Sequence, residues 1–256
     1  MPPDHRRHRR RAKPQRTENG ADKPSGPALG DFPGAVCGRC GKPASLCVCD
    51  QIAPIENRIA VLILQHPQEQ DKVLGSAGLA AQHFANAALR VGLSWPSLAK
   101  ALGPLAERVP TDPRRWAVLY LGAARAAELP KGRDVVAVDA KGKPIADQTA
   151  ALAGLAGVAL FDGTWSQAKT LWWRNPWVLK MRRIVLAPAR PSRYGVLRRE
   201  PRREGLSTLE AAALAVSRLE ARPEIETALG ASFEHMLAKY RAAKKGLGDK
   251  PASPLP

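Results

Sequence analysis

The chain has 256 residues, 45% hydrophobic and 25% charged, enough for one sizeable core or a core plus a small satellite module. A formal net charge of +17 and a pI near 10.3 draw it towards polyanions, with nucleic acid the leading partner. Its most apolar run, Ala150 to Phe161, is twelve residues long, too short to span a bilayer, and the charged start is not followed by a secretory segment, so the cytoplasm is the expected compartment and no membrane is expected as a partner.

Residues 1–34 carry Arg, Lys, Pro, Gly and polar side chains without apolar periodicity, opening on "HRRHRRRAK". Such a stretch buries too little surface to offset the entropy of ordering, which predicts a disordered basic tail. The tail either aids solubility or binds RNA without specificity. A second frayed tail is expected over 246–256, ending in "KPASPLP".

All four cysteines fall in "CGRCGKPASLCVC": Cys37, Cys40, Cys47 and Cys49. The first pair has the gap and following glycine of a zinc knuckle, and the second is spaced to project both thiols from one extended segment. Together they can surround one tetrahedral Zn2+ in a closed, structural site. Two disulfides or four core thiols are the alternatives. A cytosolic setting opposes the first, and the clustering in one polar stretch opposes the second. A zinc-binding module over 35–52 is therefore expected, folded largely by the metal.

Five runs read as buried strands: Ile59 to Gln65, Trp116 to Leu121, Asp134 to Val138, Gly157 to Phe161 and Arg183 to Ala187. Runs that are apolar throughout suit a mainly parallel sheet covered by helices on both faces, an α/β fold. Helices are expected over 75–91, 165–174, 209–221 and 225–245. Thr164 with Gln167 and Ser207 with Glu210 have capping-box spacing. Each helix start could also hold a ligand carboxylate or phosphate, although capping alone explains both.

Asp162 is placed where a strand ends, where α/β folds bind ligands. Downstream, Trp165, Trp172 and Trp173 recur at helical spacing and are expected to share one buried face, for Trp172 and Trp173 as plain core packing. Between the fifth strand and the Ser207 helix, "ARPSRYGVLRREPRREG" sets Arg190, Arg193, Arg198, Arg199, Arg202 and Arg203 around Tyr194. Arginines on phosphates and an exposed tyrosine stacked on a base make this loop the expected RNA contact.

The cysteine cluster, "LILQHPQE" at 62–69, "VLYLG" at 118–122, "DGTW" at 162–165, "NPW" at 175–177 and "LSTLEA" at 206–211 follow the order of the DTW-domain proteins, which the chain resembles from about Cys37 to Arg218. The resemblance implies a tRNA-uridine aminocarboxypropyltransferase that moves the 3-amino-3-carboxypropyl group of S-adenosylmethionine to N3 of a uridine. It also implies a SPOUT-like catalytic domain, here 53–245, with a knotted C-terminal part gripping the cofactor. Asp162 becomes the candidate base. Ser76, Leu121, Gly122, Thr164, Trp165, Leu206, Ser207 and Thr208 become candidate cofactor contacts, although Ser76 and Leu121 depart from the residues common in the family. An S-adenosylmethionine-dependent RNA methyltransferase and a non-catalytic zinc-bearing RNA-binding module are the rival readings. The residues specify neither the target uridine nor the oligomeric state.

Overall fold

A computed structural model describes residues 27–119, 129–130, 132–197 and 205–248. Six strands form one sheet: β1 (Ala60–Gln65), β2 (Ala87–Val91), β3 (Trp116–Leu119), β4 (Val135–Val138), β5 (Gly157–Asp162) and β6 (Arg182–Leu186). Their order is β2-β1-β5-β3-β6-β4, parallel throughout except for β4 against β6. All six residues of β1 are buried, as an apolar strand covered on both faces must be. The five expected strands are all present.

Among the described residues six α-helices flank the sheet: α1 (Ala77–Gln82), α2 (Leu98–Leu102), α3 (Gln148–Leu152), α4 (Trp165–Arg174), α5 (Thr208–Glu220) and α6 (Pro223–Gly248). One face packs Val61, Ile63, Val158 and Leu160 against α1, α5 and α6. The other packs Leu62, Leu64 and Val118 against α2, α4 and the 3-10 turn Pro176–Lys180. Where β5 begins, the indole of Trp116 lies over Gly157. A Cβ there would meet the ring at 2.4 Å, so only glycine admits the contact.

The helix expected over 75–91 is broken, and its second half is the edge strand β2. Asn57 is the cause: its Oδ1 accepts from the Asn86 amide at 2.8 Å, and its carbonyl accepts from Asn86 Nδ2 at 2.6 Å. Ile55 N donates to the His83 carbonyl at 2.7 Å, and β1 pairs with the chain that follows. These tertiary bonds outweigh the weak helix preference of an Ala-rich stretch.

The packed chain also starts before residue 35. Leu29–Asp31 forms a 3-10 turn, and Phe32 is buried beside Leu46 and Tyr240, its ring 5.9 Å from that of Tyr240. The disorder expected up to Gly34 therefore does not hold over these residues, because one aromatic side chain anchors them. At the other end α6 runs to Gly248, past the expected boundary at 245. Residues 1–26 and 249–256 lie outside the described residues. So do 120–128, 131 and 198–204.

Candidate functional site

The candidate site is built where β1 and β5 end side by side. The register pairs Gln65 with Asp162, the last residues of two central parallel strands. Gln65 Nε2 donates to Asp162 Oδ2 at 2.7 Å, and the Thr208 hydroxyl at the start of α5 donates to Oδ1. Asp162 is 8% exposed, so its carboxylate is clamped from two sides and largely shielded from water. Each oxygen keeps a lone pair beyond these bonds.

Gly163 lets the chain turn sharply after the carboxylate. A Cβ there would lie 2.9 Å from Gln167 Cβ and 3.5 Å from His66 Cβ. Thr164 then caps α4. It accepts from Gln167 N at 3.4 Å, while its own amide donates to Gln167 Oε1 at 2.6 Å. The second expected capping box is equally real: Ser207 and Glu210 satisfy each other's amides at 3.0 and 3.1 Å. Thr164 is exposed, Trp165 and Leu206 are half-buried, and Ser207 is buried. Ser76 is buried as well, its hydroxyl accepting from Leu209 N at 3.3 Å, which ties α1 to the start of α5. Ser76, Asp162, Ser207 and Thr208 thus meet at one end of the sheet. Leu121 and Gly122 lie outside the described residues.

Two contributors escape a reading of motifs alone. Gln65 is a polar residue closing a fully apolar run, a signal visible in the sequence. Lys42 carries none, because it sits inside the cysteine cluster. It is nonetheless buried at 8% exposure, donating from Nζ to the Val73 carbonyl at 2.6 Å. Burial lowers its pKa to about 8, against the opposing pull of Cys40, Cys49 and Asp162. A cleft of about 270 Å³ opens here, lined by Lys42, Gln65, Glu69, Gly75, Leu79 and Leu89 among others. The cysteine module therefore forms one wall of the cleft, and Gln65, which holds Asp162, lines it as well.

The four cysteine sulfurs lie within 4.8 Å of one another. Those of Cys40 and Cys47 are 3.8 Å apart, matching the edge of about 3.8 Å of a tetrahedron with metal–sulfur bonds of about 2.3 Å. Gly41 turns the knuckle at φ +69°. The backbone amides of Cys40 and Arg39 pull the Cys37 thiol down to about 6, whereas burial pushes Cys40 and Cys49 up. Four thiols gathered at this spacing, three half-buried and Cys49 buried, fit a divalent cation, whose charge would hold them as thiolates. The module is also fastened to the rest of the fold: Gln82 Nε2 donates to the Arg39 carbonyl at 3.4 Å, Lys239 Nζ donates to the Cys47 carbonyl, and Val48 and Ile52 enter the main core.

The arginine-rich loop requires a correction. Tyr194 is 1% exposed. Its hydroxyl donates to the Leu74 carbonyl at 2.5 Å, and its ring stands edge-on to Phe233 with centroids 4.9 Å apart. It is a core residue and is not placed to stack on a base. Arg193 pairs with Glu234 at 2.9 Å and approaches Glu210 at 3.8 Å, so its charge is already compensated. Arg198, Arg199, Arg202 and Arg203 lie outside the described residues. A further correction concerns the tryptophans: Trp172 is buried, but Trp173 is 72% exposed, because positions i+7 and i+8 straddle the edge of the buried stripe of α4.

No helix among the described residues is long and apolar enough to cross a membrane. Comparison with known proteins gives the same picture as the motifs. The chain is 30% identical to tRNA-uridine aminocarboxypropyltransferase 2 of Drosophila melanogaster, over 80% of this chain and 74% of that protein. It is 28% identical to the Macaca fascicularis protein of the same name, over 84% and 70%, and 29% identical to that of Mus musculus, over 72% and 56%. No solved structure matches the chain significantly. The DTW domain profile matches residues 34–241, which takes in the cysteine cluster, the Gln65–Asp162 pair and the start of α5, and the chain belongs to the DTW-domain family.

Proposed function

We propose that this protein transfers the 3-amino-3-carboxypropyl group of S-adenosylmethionine to N3 of a uridine in tRNA, with Asp162 as the base. The observation that carries this reading is the buried Asp162 carboxylate, held by Gln65 and Thr208 at the end of β5 beside an open cleft. The relatives' names and the family profile support the substrate class.

The donor supplies a sulfonium whose γ-carbon is electrophilic. A free lone pair of Asp162 takes the N3 proton while N3 bonds to that carbon, and the carbon–sulfur bond breaks to leave a neutral thioether. Gln65 and Thr208 keep the carboxylate in one orientation, so little reorganisation accompanies the transfer. Shielding from water strengthens these contacts and protects the sulfonium. Ser76, Thr164, Trp165, Leu206, Ser207 and Thr208, with Leu121 and Gly122, are the proposed donor contacts. Among them Ser207 and Thr164 act chiefly through the helix starts that they cap. Zn2+ on Cys37, Cys40, Cys47 and Cys49 is structural, since four sulfurs complete its coordination shell.

Asp162→Asn should lower kcat by about 10²–10⁴ while calorimetry with S-adenosylmethionine and the melting temperature stay near wild type, because Gln65 can turn its amide over to face the new side chain. Mass spectrometry of nucleosides from treated tRNA should show the mass of the aminocarboxypropyl group. A methyl-sized increment would establish the methyltransferase reading instead, and near-normal turnover of the variant would remove Asp162 as the base.

A further inference from the structure

Helix α4 has two unlike faces. Ala168, Leu171 and Trp172 are buried against the sheet, with Trp172 5.9 Å from Phe161. On the outer side Trp173 is 72% exposed and Leu179, in the following turn, 46%. Lys169, Arg174 and Lys180 are exposed around them, and none of the three forms an ion pair among the described residues. The surrounding sequence adds no negative charge. No Asp or Glu occurs between Asp162 and Glu200, nor from Gly92 to Lys100, the segment that packs on the end of α4 through Ser94 Oγ to the Arg174 carbonyl at 2.9 Å.

An indole left in water forgoes its hydrophobic stabilisation, so the fold alone gives no reason for tryptophan at 173. The platform beneath it is rigid. Asn175 donates from Nδ2 to the Leu171 carbonyl at 2.7 Å and the Leu93 carbonyl at 3.1 Å, and its Oδ1 accepts from Trp95 N at 2.8 Å. An exposed aromatic ring on a braced helix end, among cations without ion-pair partners among the described residues, is the chemistry that stacks a base and neutralises the flanking phosphates. A protein partner would favour a broader apolar patch, and here the apolar part is Trp173 and Leu179 alone.

Position gives the surface a role. Helix α4 starts three residues after Asp162, and Trp173 lies eight residues further along, about 12 Å up the helix at 1.5 Å per residue. We infer that the outer face of α4, with Trp173, Lys169, Arg174 and Lys180, is a docking surface for tRNA, and that Trp173 stacks on an unpaired base flanking the modified uridine. This rests on the tRNA reading proposed above.

The test measures binding of an unmodified tRNA transcript to wild type, Trp173→Ala, Trp173→Tyr and Lys169→Ala across a range of salt concentrations. Calorimetry with S-adenosylmethionine and sedimentation run on the same samples. Trp173→Ala should weaken tRNA binding about fivefold to a hundredfold with an unchanged salt slope, because the indole is uncharged, and Trp173→Tyr should recover most of the loss. Lys169→Ala should lower the slope by about one. Donor binding should be unaltered in all four. Equal tRNA affinity for wild type and Trp173→Ala would overturn the inference while leaving the proposed function in place. So would a change in oligomeric state without a change in tRNA affinity, which would make this face a contact between copies. Failure of the wild type itself to bind tRNA would overturn both.

Discussion

Asp162 depends on its neighbours for its geometry. The Thr208 hydroxyl holds one carboxylate oxygen and the Gln65 amide the other, and a hydrogen bond to a charged group contributes about 1.5–3 kcal/mol. Thr208→Val keeps the shape of the side chain and removes the donor. Turnover should fall about tenfold or more, and the melting temperature should drop by several degrees, at about 2–4 °C per kcal/mol lost for a chain of this size. Steady-state kinetics beside a thermal melt checks this, and unchanged kcat would show that Gln65 alone orients the carboxylate. Tyr194 teaches the opposite lesson about single residues. Set among arginines it resembles a nucleobase contact, yet its ring fills the core against Phe233 and its hydroxyl reaches Leu74, because a loop joining buried elements needs an apolar anchor more than a display of charge.

At the scale of elements, the cysteine module is a wall of the cleft rather than an appended knuckle. Lys42 reaches from it to the Val73 carbonyl, in the loop that leads to Ser76, and Lys239 of α6 holds the Cys47 carbonyl. Loss of the metal should therefore be felt beyond residues 35–52. Chelation with a strong zinc ligand is expected to release one Zn2+ per chain and to lower the melting temperature by about 10 °C, equivalent to several kcal/mol for a chain of this size, with weaker donor binding as the cleft loosens. Calorimetric melts with a colorimetric zinc assay measure both. An unchanged melt after complete metal release would mean that Phe32, Leu46, Val48 and Ile52 hold the module by packing alone. The capping boxes at α4 and α5 are the elements most legible in advance, since a cap depends only on residues three apart.

For the molecule as a whole, His83 introduces a dependence on acid. It is 3% exposed, both ring nitrogens lack a hydrogen-bond partner among the described residues, and burial lowers its pKa from 6.5 to about 4. The unfolded chain therefore binds a proton between these values that the folded chain does not. The contribution is fully present above pH 6.5, declines as pH falls towards 4, and amounts to about 3 kcal/mol across that window. His83→Leu should remove it. Wild type should lose unfolding free energy relative to the variant as pH falls from 6.5 towards 4, a comparison from which proton-driven zinc release cancels. A difference that is flat with pH would show that the imidazole is not held neutral. The net charge of +17 acts at this scale too, drawing polyanions to the surface without specifying where they bind.

The sequence alone determined the features that rest on local chemistry: the five apolar runs that became strands, the two capping boxes, the four thiols at metal-binding spacing, and Asp162 at the end of a strand. Each depends on residues close along the chain, whose spacing sets their geometry. Tertiary structure alone decided that Ala87–Val91 is a strand, that Tyr194 is core, that Trp173 faces water, and that Lys42, Gln65 and Thr208 gather around the cleft and the carboxylate. Those outcomes depend on partners many residues away, such as Asn57 for Asn86 and Leu74 for Tyr194. Where several local conformations differ by less than about 1 kcal/mol per residue, such distant bonds choose among them.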